Sequence, residues 1–183
     1  MLDRPDRFLL RKIARDAIQY GLRHQAPMPV DLESLPASIR QQQACFVTLF
    51  ATGTLRGCVG SLEAYRPLAE DVAANAFAAA FRDNRFCPIS RDLVDELDIN
   101  ISLLTTPQPI ECDCEQSLLS QLIPGKDGLI LEAGEHRATF LPAVWDALPS
   151  PARFVAELKR KAGLPIDYWS EQMQCYRYHT EHF

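Results

Sequence analysis

Apolar residues near the start of the chain recur at Leu9, Ile13, Ala17 and Tyr20, with Phe8 and Ile18 beside them. Spacings of three and four place such residues on one face of an α-helix. A helix is therefore predicted over about 5–21, opened by Pro5, whose missing N–H does no harm in a first turn, and fading at Gly21. The three prolines between Gln25 and Pro36 predict a loop. Cys45 to Phe50 is an apolar, β-prone run; Ala51-Thr52-Gly53-Thr54 interrupts it, and Leu55 to Leu62 returns as a second strand of a hairpin. Alternation along that strand puts Arg56, Cys58 and Gly60 on one face and Leu55, Gly57 and Val59 on the other.

Pro67 opens a long helix whose stripe is Leu68, Val72, Ala76 and Ala79, made slim by further alanines and ending near Arg82-Asp83-Asn84-Arg85. Ser90 is read as capping a short helix through Leu97. Ile99, Ile101 and Leu103 alternate with polar residues as a half-buried strand. A short helix over Ser117 to Ile123 precedes a second hairpin, which runs from Leu129 to Leu141 and turns near Gly134 and His136. Helical pieces follow from Pro142 to Leu148 and from Ser150 to Ala162, where Lys159, Arg160 and Lys161 answer the negative helix end. A strand from Met173 to His179 comes last. Interleaved helices and strands with two hairpins predict an α+β fold, with helices packed on a mainly antiparallel sheet. At 183 residues the chain is read as one domain.

Charge narrows the partners. A formal net charge of −5 gives no footprint for tight nucleic-acid binding, though it leaves room for a local basic groove. No apolar run reaches the length of a membrane span, and the charged start Met1-Leu2-Asp3-Arg4 is unlike a signal peptide, so a cytoplasmic protein is expected. Six cysteines in such a compartment are expected as free thiols. Cys112-Asp113-Cys114 and the pair His179 and His182 are read as surface groups rather than metal ligands, and no metal is expected. No phosphate-binding lysine loop or dinucleotide fingerprint is present, and no cofactor is expected.

The candidate chemistry gathers at Leu55-Arg56-Gly57-Cys58-Val59-Gly60. Glycine inside a strand marks a bulge or a close approach of ligand or backbone. A cation beside a thiol favours the thiolate, the reactive form. Cys58 with Arg56 is thus a candidate nucleophile, and Gly57 and Gly60 are candidate ligand-contact positions; the alternative is a small, buried apolar filler. Arg82, Asp83 and Arg85 either bind an anion, with Arg56, or cap the helix. His136 would complete a cysteine–histidine arrangement only if folding carried it to Cys58; the alternative is a solvated turn residue.

These residues also resemble a known family. Leu55-Arg56-Gly57-Cys58-Val59-Gly60 resembles the signature hexapeptide of the AMMECR domain family, in which isoleucine is commoner than Val59. Phe46-Val47-Thr48-Leu49, Pro67-Leu68, Asp83-Asn84-Arg85-Phe86-Cys87-Pro88, Gly128-Leu129-Ile130-Leu131, Ala138 through Trp145, and Lys161-Ala162-Gly163-Leu164 match further family motifs in order. The chain departs at Asn84 and Cys87, where the family often has proline. The resemblance runs from about Phe46 to Tyr178. It implies an α+β fold in two unequal lobes with a cleft between them. Its microbial branch, AmmeMemoRadiSam system protein A, implies a Memo-like protein and a radical S-adenosylmethionine protein as partners. It supplies no reaction. Two readings stand: an enzyme or enzyme subunit using Cys58, or a non-catalytic module that docks a partner or a small anionic ligand through the Leu55–Gly60 loop.

Overall fold

The computed structural model describes residues 2–183. It is an α+β fold of helices and two four-stranded sheets, whose register pairs are all antiparallel. The chain divides into two compact units: the first runs to Leu104 and regains Glu181–Phe183, and the second is Thr105–Thr180.

In the first unit, helix α1 spans Arg4–His24 and Asp3 caps it, its carboxylate accepting from the Asp6 N–H at 2.9 Å. Its buried stripe is Leu10, Ile13, Ala14, Ala17, Ile18 and Gly21, so Phe8 and Tyr20 lie off the core. The helix runs on through Gly21 rather than fading there. A Cβ at Gly21 would lie 2.5 Å from the Phe81 ring and 2.7 Å from that of Phe77, so glycine is what lets the second helix come this close. Strands β1, Cys45–Ala51, and β2, Thr54–Gly60, form the predicted hairpin. Its two-residue turn places Thr52 and Gly53 at φ 48° and 76°, the positive values that match hairpin twist.

Helix α2, Leu68–Phe81, is apolar nearly all round and buries Leu68, Val72, Ala76 and Ala79 as predicted. It packs on α1, β1 and β2, and its alanines let backbone approach backbone. Arg91–Glu96 is a 3₁₀ turn, and Ser90 makes no side-chain cap bond there. Strand β3, Leu97–Leu104, pairs with β1. The inward residues Val47, Leu49, Ile99 and Ile101 join both helices in one core.

The second unit holds β4 (Gln108–Pro109), α3 (Glu115–Gln121), β5 (Gly128–Ala133), β6 (His136–Phe140), α4 (Pro151–Lys161) and β7 (Gln174–Tyr178). Its sheet order is β4-β7-β5-β6. Trp145 stacks on Phe154 with ring centroids 3.8 Å apart at the centre of its core. Lys159 does not sit free at the helix end. It is fully buried, donating to Glu115 at 2.7 Å and to the Ile166 carbonyl at 3.0 Å. Pro142–Asp146 is a 3₁₀ turn. The predicted last strand is β7, and a further strand follows it: β8, Thr180–His182, completes the first sheet in the order β2-β1-β3-β8.

Candidate functional site

Strand β2 is the edge of its sheet, and it is irregular where the chemistry lies. Leu49 pairs with Gly57 and Phe50 with Leu55, which leaves Arg56 as the extra residue of a β-bulge. Strict alternation therefore breaks at Arg56, and the expectation that it shares the face of Cys58 by spacing alone does not carry through the bulge. The Arg56 side chain is half-buried, and its Nε is buried without a hydrogen-bond partner among the described residues.

Gly57 and Gly60 are required for different reasons. A Cβ on Gly57 would meet the Ala79 carbonyl oxygen of α2 at 2.0 Å. A Cβ on Gly60 would meet the Phe46 ring at 2.2 Å. Gly57 thus faces the helix, and its neighbour Cys58 projects from the opposite face of the sheet. There it shares a row with Thr48 on β1 and Asn100 on β3, both half-buried. The Thr48 hydroxyl donates to the Cys58 Sγ at 3.3 Å.

An antiparallel strand points both polar groups of a residue to the same side, and at Cys58 that side is the open edge. Two motif residues fill it. The Asp83 carboxylate accepts from the Cys58 N–H at 2.9 Å, and the Arg85 guanidinium donates to the Cys58 carbonyl at 3.1 Å. The two are themselves joined by paired bonds of 2.9 Å and 2.7 Å. The Arg85 guanidinium holds the Asp83 carboxyl well below the usual carboxylate range, and the Cys58 and Arg85 N–H groups add to this against the opposing effect of burial. Arg85 is in turn held more firmly protonated, chiefly by its bond to Asp83, and Cys58 contributes electrostatically in the same direction. Arg85 is the guanidinium that binds the backbone of this residue.

The other candidates make other contacts. Arg82 is exposed and rests over the Phe77 ring, 5.0 Å from its centroid. His136 belongs to the second unit, at the first residue of β6, where its Nδ1 lies 2.9 Å from the Ala162 carbonyl oxygen. His179 and His182 bind Asp127 and Ser102.

Among the thiols, burial pushes Cys45 and Cys175 well up, and it raises Cys112 as well. Cys87 and Cys114 are exposed, whereas Cys58 is half-buried.

Sequence reading missed a second cluster directly behind the loop. Asp71 on α2, fully buried, accepts from the Cys45 N–H at 2.9 Å, the Ser61 hydroxyl at 2.6 Å, Arg66 at 2.7 Å and Asn75 at 3.0 Å. Asn75 donates in turn to the Cys45 carbonyl at 3.1 Å. This network fixes the start of β1 and the exit from β2 against one helix. Its sequence signal is the pair Asp71 and Asn75, one turn apart on an otherwise apolar helix face.

Comparison with known proteins places these motifs in context. The AMMECR1 family model matches residues 11–183. A protein of Methanothermobacter thermautotrophicus is 36% identical over 100% of this chain and 95% of its own length. One of Methanocaldococcus jannaschii is 35% identical over 83% of this chain and 78% of its own. The crystal structure of an uncharacterized protein from Pyrococcus horikoshii superposes with a TM-score of 0.81 at 31% identity, covering 95% of this chain and 88% of that one.

Proposed function

Since the chain belongs to the AMMECR1 family, its signature loop is the place to look for a function, and we propose that it acts as an enzyme or enzyme subunit whose working group is the Cys58 thiol. One observation carries the reading: the Asp83–Arg85 pair binds both backbone polar groups of Cys58, while the Thr48 hydroxyl touches its sulfur. A thiol held this way keeps a fixed aim, with a guanidinium on its backbone and a hydroxyl on its sulfur. Thiolate is the form that attacks an electrophilic carbon or sulfur. In this reading Arg85 is the supporting cation, Thr48 a positioning residue, and His136 has no assigned role.

Site-resolved alkylation of the native protein with iodoacetamide at neutral pH tests it. Cys58 is expected to label faster than the exposed Cys87 and Cys114, and Arg85→Met is expected to slow Cys58 alone. Labelling of Cys58 only after denaturation would overturn the proposal.

A docking module is the second reading, favoured by Leu62 and Tyr65. Both are exposed in the turn that leaves β2, with 40% and 62% of their surface accessible. Docking there would proceed through side chains, because the clamp already occupies the edge hydrogen-bonding groups of Cys58. The partners put forward are a Memo-like protein and a radical S-adenosylmethionine protein, as the family resemblance suggests. Co-purification from the native cell, comparing wild type with a Leu62→Ser, Tyr65→Ser variant, separates the readings. Loss of partners with unchanged thiol labelling marks the docking role.

A further inference from the structure

Arg82 opens the motif whose Asp83 and Arg85 are committed to Cys58, yet it takes no part in that clamp. It lines a hollow of about 280 Å³ with Gly21, Leu22, Gln25, Phe77 and Phe81. Gly21 forms the floor, and because it lacks a Cβ the two phenyl rings lie directly against α1. Those rings are 5.2 Å apart and tilted by 52°. Leu22 separates this hollow from a second, of about 400 Å³, whose wall includes Arg23, Arg91 and Asp95. Neither Arg23, Arg82 nor Arg91 has an ion-pair partner among the described residues. Three such cations around two adjoining hollows stand out in a chain of net charge −5.

We infer that these hollows form a binding site for a small organic anion with a flat aromatic or apolar body. The body lies against Phe77 and Phe81, and its carboxylate or phosphate is held by Arg82, with Arg23 and Arg91 adding positive potential from the neighbouring hollow. Pockets for small molecules are lined mainly by apolar and aromatic groups with a few placed polar ones, which is the composition of the hollow between Gly21, Phe77 and Phe81. The carboxyl ends of α1 and α2 meet at this place and carry partial negative charge. An anion must therefore be held by the guanidinium itself, which makes Arg82 decisive. The inference is independent of the role given to Cys58.

Titration of the whole protein with 2-naphthoate, followed by calorimetry and amide NMR, tests it. The neutral isostere 2-naphthalenemethanol and inorganic phosphate serve as controls. Saturable naphthoate binding is expected, with shifts at Gly21, Leu22, Phe77 and Phe81. The alcohol should bind about tenfold or more weakly, as loss of one charge-assisted contact implies, and phosphate likewise about tenfold or more weakly for want of an apolar body to bury. Arg82→Gln should remove the preference for naphthoate over the alcohol while leaving the melting temperature unchanged. Phe81→Leu, which keeps an apolar core contact, should weaken both naphthyl probes. Equal binding of acid and alcohol by the wild type overturns the proposal, as does the absence of saturable binding to folded protein. In either event Arg23 and Arg82 answer the helix ends only.

Discussion

At the scale of single residues, the two glycines of the hexapeptide make unequal demands. The atom that blocks a side chain at Gly57 is the Ala79 carbonyl oxygen, part of a helix backbone. At Gly60 it is the Phe46 ring, a side chain on a half-buried sheet face. Gly57→Ala is expected to destabilise the protein by at least the about 1–3 kcal/mol of an overpacked core, and Gly60→Ala by distinctly less, as read by denaturant unfolding. The reverse order would mean that α2 yields more easily than Phe46. Asp83 supplies a pH signature. Its pKa is depressed on folding, so its contribution is fully present above the unfolded carboxylate value of about 4 and fades as pH falls below it. Wild type should therefore exceed Asp83→Asn in stability at neutral pH, and the gap should close in acid. A gap that persists unchanged at low pH would contradict the ion-pair clamp. Sequence showed that Cys58 has glycine neighbours and a nearby arginine, but not that Asp83 and Arg85 bind its backbone. Periodicity assumes an unbroken strand, and one extra residue at Arg56 defeats it.

At the scale of elements, the edge strand and the alanine helix depend on each other. Local pattern was enough to find β1, β2, α2 and β3, because their apolar periods are long and bounded by turn residues. It was not enough to find the Asp71 network, since a polar residue on a helix discloses its partners only after distant segments converge. The loop residues Asp83 and Arg85 act on Cys58, 25 and 27 residues away in sequence, and helix-end chemistry alone gives no sign of this. Asp71→Ala would leave the Cys45 N–H and the Ser61 hydroxyl seeking acceptors in the core. Each unsatisfied buried group costs about 1–3 kcal/mol, so a loss of roughly 2 kcal/mol or more is expected by thermal or chemical melting. A neutral result would show that water replaces the carboxylate. Burial of Lys159 belongs to the same class of surprise: three basic residues in a row suit a solvated helix end, and only the arrival of Glu115 and the Ile166 carbonyl makes a dry place for one of them.

For the whole molecule, α+β class and hairpin topology were legible, whereas the division into two sheets was not. The pattern from Met173 to His179 reads as one strand, which β7 is, but nothing in the polar end beyond it shows that Thr180–His182 joins the other sheet. Ile101 and Phe183 exchange both backbone hydrogen bonds, at 2.8 Å and 3.0 Å, which ties β8 to β3. Thr105 donates its N–H to the His179 carbonyl at 2.9 Å, so the two strands leaving and entering the second unit meet at its root. The second unit is thus an insertion between adjacent strands. Replacing residues 105–180 with a short glycine-containing turn is expected to leave a first unit that melts cooperatively, since its core is its own. A variant that binds hydrophobic dye and melts without a transition would show that the first unit leans on the second.

The same nesting orders events on the ribosome. β3 is synthesised early, but the strand that covers its free edge is made only after every residue of the second unit. Throughout that interval the nascent sheet presents β3 as an open, apolar-backed edge, the kind of surface that invites pairing with a neighbouring chain. The growing polypeptide therefore has its period of greatest vulnerability built into the order of its strands, and a chaperone that shields the 97–104 segment would act before the sheet can close.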